Sequence, residues 1–460
     1  MTTDPVAGAT ALWRTLTSDV DFFGAEGKPM PGDAALDQAM REGALLLPHV
    51  YQDAYIGPVQ RATPRLLALA RAGRIRMGSV EIVTGGIAQH APGWPMTDEL
   101  RRFVAVISNL FRSFLDSARR KAADMPALAE ILPPLAAFQH DGNDGPITIA
   151  ADLIQAYLGG SVGVVALPAT FAAHPILWTA LAHETGGHDV THADPGLLDQ
   201  LIDALPATLA PLEADCCLPP GTLVRLWSHW MDEAAADIYA LMNAGPAFVE
   251  NTAVLLAAMG GGSTPGLRAE SRVAAASLLD PHPTDILRLH LGLGAIDTLQ
   301  GYSGRATARG RITALLDSFC RADHITLAGA LPDGPQRLLP LSAEVPREAM
   351  GRAAEAVGRL IATARLPALA GKSIQDIETW EDDDERQVDA IRDALAAGRS
   401  IAGLGDDAQL LAAASSAVVD DAASYARVTA ALNLALDHSF HTDPVWGYEE
   451  PDRMYVRYTS

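Results

Sequence analysis

Cysteine is scarce, with three in 460 residues; Cys216 and Cys217 are adjacent and Cys320 stands far from them. That excludes a disulfide framework and a C-x-x-C metal knuckle, and a reducing compartment is the simple expectation. Long apolar runs are missing too. The longest, Val162 to Pro175, is broken by Pro168 and closes on His174-Pro175, too short for a membrane span. The opening Met1-Thr2-Thr3-Asp4-Pro5 has no basic stretch followed by an apolar one, so no signal peptide is expected. Basic residues are outnumbered: 34 Lys and Arg against 56 Asp and Glu give a net charge of −22. Phosphate binding needs basic patches, which argues against a nucleic-acid partner. There is no fixed-period repeat and no low-complexity tract, although alanine is abundant. These absences describe a cytoplasmic protein with neither nucleic acid nor membrane as partner.

What is present fits a compact globular enzyme. Hydrophobic residues make up 49% and charged residues 20%, enough apolar chain for a large core built from two or more intimately packed subdomains. Three regions are expected, 1–140, 141–300 and 301–460. In the first, helical patterns run from Ala35 to Leu46, Pro64 to Ala72, Asp98 to Ala122 and Pro126 to Phe138. In the second, residues 145–150 and 161–167 read as short β-branched strands just ahead of a helix from Pro175 to His188. In the third the chain returns to helices, including Thr307 to Cys320, Pro346 to Ala364, Glu385 to Ala397, Asp407 to Val419 and Ala422 to His438. The acidic run Glu381 to Glu385 reads as a solvated loop or a helix N-terminus. The tail from His441 to Ser460 either docks on the surface or covers a cleft.

The chemistry concentrates in His183-Glu184-Thr185-Gly186-Gly187-His188. Two neutral imidazoles can hold Zn²⁺ while the neighbouring carboxylate takes a proton from water that the ion activates. The spacing is one residue longer than H-E-x-x-H. On a regular helix an i,i+4 pair sits roughly 40° apart and an i,i+5 pair roughly 140° apart, so regular geometry cannot bring these imidazoles together. Gly186 and Gly187 fill the gap and are the residues best able to relax into a π-bulge, which adds one residue to a turn. Glu184, His188 and His192 offer a rival stripe at four-residue spacing on an undistorted helix. A second element, Asp232-Glu233-Ala234-Ala235-Ala236-Asp237, places Glu233 and Asp237 on one helix face, one to bind metal and the other to orient a ligand His. Read alone it is also a good solvated helix. His229 lies one turn before Glu233, and Asp189 and Asp194 flank the His motif as possible acceptors for a ligand imidazole.

These residues resemble known peptidases. H-E-x-x-G-H is the motif of the dipeptidyl-peptidase III family, and the acidic helix is similar to the E-x-x-A-D element that supplies the third zinc ligand in gluzincin-type enzymes. His282-Pro283-Thr284-Asp285-Ile286-Leu287-Arg288 looks like the H-P-x-x-x-x-R segment of the CAAX prenyl protease and HtpX-type metalloproteases, where the His and Arg line the active site. The resemblance covers only residues 183–288, and those last families are membrane-embedded, so their substrates do not carry over. It implies a mainly α fold with a small β-sheet, a zincin-like metallopeptidase core embedded in a helical protein. It further implies one Zn²⁺ held by His183, His188 and Glu233, with Glu184 as base. His282, Arg288 or Tyr239 would stabilise an oxyanion, and Asp237, Asp189 and His192 would stand behind the ligands. The expected substrate is a peptide or small amide, an edge strand of the sheet pairing with its backbone. Two other readings stay open: a non-peptidase metalloenzyme with a His₂Glu site for iron or zinc, and an inactive zincin-like scaffold. At His282, a Pro-His-Pro turn with Thr284 capping the next helix is an equal alternative to an active-site wall.

Overall fold

Among the described residues, helix makes up 65% and strand 9%; the computed structural model describes residues 4–18, 31–122, 132–139, 145–260, 263–273, 277–333 and 337–447. The fold is mainly α with a small sheet. No helix among the described residues is long and apolar enough to cross a membrane.

The sheet has three strands, β1 (Leu135–Gln139), β2 (Ile147–Ile149) and β3 (Val164–Pro168), in the order β1-β3-β2. β3 is the middle strand, parallel to β1 and antiparallel to β2. β1 corrects the expected helix from Pro126 to Phe138: residues 126–131 lie outside the described ones, and 135–139 form a strand. Buried at every position, Leu-Ala-Ala-Phe-Gln has no polar face to betray its period, so a run that reads as helix serves as a core strand. Its outer edge is occupied at Phe138, where the Gln89 side chain donates to the Phe138 carbonyl and accepts from its N–H, both at 2.7 Å. β2 has β3 on one side and, among the described residues, no strand on the other.

A second sheet corrects the purely helical expectation for the last region. β4 (His324–Pro332) and β5 (Leu338–Pro346) pair antiparallel as a hairpin. Ile325 and Leu327 alternate inward at 0% exposure, but Gly329 and the alanines and prolines of the two strands hold little β propensity and hid the alternation.

Five helices frame the centre of the molecule: α1 (Thr97–Leu115), α2 (Ala151–Leu158), α3 (Met231–Met259), α4 (Asp285–Ile296) and α5 (Arg347–Thr363). The expected Asp98–Ala122 helix is two pieces, α1 and Ala118–Ala122, parted at Asp116 and Ser117. Pro64 sits inside a helix that begins earlier, at Gly57. α4 packs against both α3 and α5. The acidic run is a helix N-terminus: Glu381 caps Asp382–Ala396 and Asp384 returns the bond to the Glu381 N–H. The tail docks as far as it is described, with Trp446 buried against His90, Tyr51 and Phe440; residues 448–460 lie outside the described ones.

α3 is one helix by connectivity and two by geometry. Gly245 interrupts it at φ 64°, ψ −164°, ahead of Pro246, a conformation essentially confined to glycine. A Cβ there would fall inside the indole of Trp380. Gly245→Ala therefore combines backbone strain with overpacking and is expected to lower stability by about 3 kcal/mol, read as a shift in the urea midpoint at constant slope.

Candidate metal centre

The helix expected from Pro175 to His188 changes its pitch three times. A 3₁₀ turn (Pro175–Thr179) and one α turn (Ala180–His183) lead into a π segment, Glu184–Asp189, before α geometry returns at Val190–Ala193. The π segment takes up the extra residue, and the rings of His183 and His188 meet edge to face with centroids 4.9 Å apart. The glycines serve a second purpose. A Cβ on Gly187 would lie 2.5 Å from the Cα of Ala236, and one on Gly186 would lie 3.1 Å from Asn243 Nδ2. Their bareness lets the π segment lie directly on α3, beside Glu233 and Asp237.

His183, His188 and Glu233 converge as a group that could hold a metal ion, each offering one ligand atom within 4.8 Å of the others. Glu233 Oε2 stands 3.1 Å from His183 Nε2 and 3.5 Å from His188 Nε2. Donors about 2.0–2.1 Å from a tetrahedral ion sit about 3.3 Å from one another, so these separations suit the ion's geometry. The rings are held from behind. His183 Nδ1 donates to Asp237 Oδ1 at 2.8 Å, and His188 Nδ1 donates to Asp232 Oδ1 at 3.2 Å. Both bonds leave Nε2 facing Glu233, the tautomer a ligand needs.

Asp237 lies behind His183. Its carboxylate is gripped by Arg288, with Nε 2.8 Å from Oδ2 and Nη2 2.6 Å from Oδ1. Burial opposes its charge, but Arg288 and His183 bring its pKa down to about 2. Arg288, expected as an oxyanion stabiliser, has its Nε and Nη2 turned to Asp237 behind His183. His282 lies at the rim, its side chain 44% exposed, with Nε2 3.3 Å from Glu233 Oε1 and Nδ1 2.7 Å from Asp280 Oδ1. Thr284 holds the N-cap position of α4, yet its hydroxyl makes no capping bond.

Three expectations are corrected. Tyr239 is fully buried, edge-on to Phe114 at 4.9 Å, and its hydroxyl has no partner among the described residues. Two residues past Asp237, it points roughly 200° around α3 from that carboxylate, away from the ligands. Asp189 is buried but binds no imidazole; its Oδ2 is unpartnered, and burial pushes its pKa well up. The rival stripe does not assemble. His192 spans Asp152 and Asp232, at 3.1 and 3.3 Å, and is raised to about 9 chiefly by the Asp232 bond. His229 bonds the Leu279 carbonyl, and Asp194 forms a buried two-pronged pair with Arg120; neither reaches the donors.

Two residues at the site, Asp232 and Thr148, fall outside the candidates read from the sequence. Asp232 could have been found, since it precedes Glu233 and two histidines stand four apart on the facing segment. Thr148, on β2, reaches Glu184 only through the fold.

The donors are linked to one another by hydrogen bonds. Burial alone would lower the imidazoles, but hydrogen bonds to Asp237 and Glu233 raise His183, and those to Asp232 and Glu233 raise His188 well above the ordinary range. Glu233, despite burial, is driven well below its ordinary value by the same histidines. Compared with known proteins, the chain matches no family model, no curated protein and no solved structure.

Two outcomes follow from this geometry. A metal must displace imidazole protons, so affinity for Zn²⁺ should rise with pH through neutrality, by up to about tenfold per pH unit for each proton displaced; titration calorimetry in buffers of different ionisation enthalpy counts those protons. Gly187→Ala drives a methyl into Ala236 and should cost roughly 1–3 kcal/mol of stability and weaken metal binding, with Gly186→Ala milder because an amide side chain can yield. Thermal melts and metal titrations of the two variants side by side check the order.

Proposed function

We propose that the protein is a zinc-dependent hydrolase, a metallopeptidase of zincin type, cleaving a peptide or small amide bond. The observation that carries the reading is the convergence of His183, His188 and Glu233 across a π segment that leaves Glu184 beside them and off the donor set. A His₂Glu set with every protein donor on one side is the arrangement of catalytic zinc, which keeps a position open. When bound, zinc supplies a Lewis acid that polarises a carbonyl and makes water acidic enough to attack near neutral pH. Glu184 accepts the proton of that water and delivers it to the leaving amine. Asp237 and Asp232 hold the ligand rings, and Arg288 holds Asp237. His282, exposed at the rim and tethered by Asp280, is placed to donate to a developing oxyanion. The free edge of β2, next to Glu184, gives an extended peptide a backbone to pair with. Three free cysteines favour a cytoplasmic setting, and the net charge of −22 disfavours nucleic acid as substrate.

Elemental analysis of purified protein should find close to one zinc per chain, lost in His183→Ala and in His188→Ala. Glu184→Gln should keep the metal while cutting turnover of an internally quenched peptide library by about a hundredfold or more. Full zinc in His183→Ala, or loss of zinc in Glu184→Gln, would overturn the assignment of ligands and base.

A further inference from the structure

We infer that Thr148 is the positioning residue of the base: its hydroxyl, presented by the edge strand, holds the Glu184 carboxylate in line with the donor cluster and off the metal. The inference rests on the hydrolase reading above. Thr148 Oγ1 lies 2.8 Å from Glu184 Oε2 and 3.0 Å from the Glu184 carbonyl oxygen. It therefore meets both the side chain and the backbone of one residue at the start of the π segment. The hydroxyl has one proton to donate, and a carboxylate is the stronger acceptor. Glu184 is only 7% exposed, so solvent does little to orient it. No other side chain hydrogen-bonds its carboxylate among the described residues.

The neighbours make that single bond consequential. Both ligand imidazoles have their Nδ1 atoms taken by Asp237 and Asp232, and their Nε2 atoms face Glu233. A carboxylate released beside them has one attractive destination, the ion itself, where it would act as a fourth ligand and cease to be a base. Thr148 is the only polar side chain of the strand Ile147-Thr148-Ile149 and pairs across the sheet with Val165. The hydroxyl is thus fixed to the strand along which a peptide would lie. A β-branched residue there has few rotamers, which keeps the hydroxyl aimed.

Thr148→Val removes the hydroxyl while keeping branching, size and strand preference, and Thr148→Ser keeps the hydroxyl alone. Four readouts are compared with wild type: zinc content, melting temperature, kcat and KM on the peptide library, and affinity for acetohydroxamic acid. A hydroxamic acid chelating zinc passes its proton to a carboxylate within reach, so its affinity reports the placement of Glu184 without needing a peptide substrate. Thr148→Val should keep its zinc and melt as wild type does, with kcat and hydroxamate affinity each down about tenfold or more and KM little changed, the size expected for a charge-assisted hydrogen bond. Thr148→Ser should recover most of both. Values for Thr148→Val within about twofold of wild type overturn the inference, as does a Ser variant no better than Val, or loss of zinc or fold in both variants. If the wild type binds zinc and hydroxamate but cleaves no peptide, the peptidase reading fails and the hydroxamate series still decides on Thr148. A wild type without zinc refutes both.

Discussion

A side chain at position 187 would fall 2.5 Å from the Cα of Ala236, and the absence of one sets how closely the two helical segments of the site approach. Everything at the centre depends on that contact. His183 and His188 belong to one segment and Glu233, Asp232 and Asp237 to the other, and donor separations of 3.1 and 3.5 Å exist only while the backbones touch. The same glycines admit the π turn that rotates His188 toward His183. One structural choice therefore meets two demands, wide helical pitch and close helical packing, that a larger residue would fail together.

Around that contact runs a series of paired charges. From the rim inward, Asp280 holds His282, His282 faces Glu233, Glu233 faces both ligand imidazoles, Asp237 holds His183, and Arg288 closes the series on Asp237. Removing one partner of such a buried pair leaves an uncompensated charge, at a cost of roughly 3–5 kcal/mol. The polar core is thus a stability liability unless complete, and it gives the ligands fixed directions that apolar packing would not supply. The Arg120–Asp194 pair anchors the far end of the same interrupted helix in the same way.

The sheet contributes through one residue rather than through bulk. β3 and β1 are buried core, and Gln89 closes the outer edge of β1 at Phe138. β2, by contrast, has no strand on its other edge among the described residues and carries Thr148 to Glu184. The strand, Glu184 and the segment carrying the two histidines are thereby linked within a few ångströms.

By itself the sequence determined the donor types, their order and the need for a distortion: an i,i+5 histidine pair bridged by two glycines cannot meet on a regular helix, and Glu233 with Asp237 must share a face. These are local facts, set by residues within one or two turns. It also declared a mainly helical chain with strands at 145–150 and 161–167, where the structure has 147–149 and 164–168. It did not reveal β1 or the β4–β5 hairpin, because a run buried on both faces or rich in alanine and proline lacks the alternation by which a strand is read. Nor did it decide between Asp189 and Asp232 as the carboxylate behind His188, place Tyr239 in the core, turn Arg288 toward Asp237, or bring Thr148 to Glu184. Those assignments depend on which faces of distant segments pack together, and that is fixed by long-range apolar burial, to which the polar residues in question contribute almost nothing until the fold has placed them.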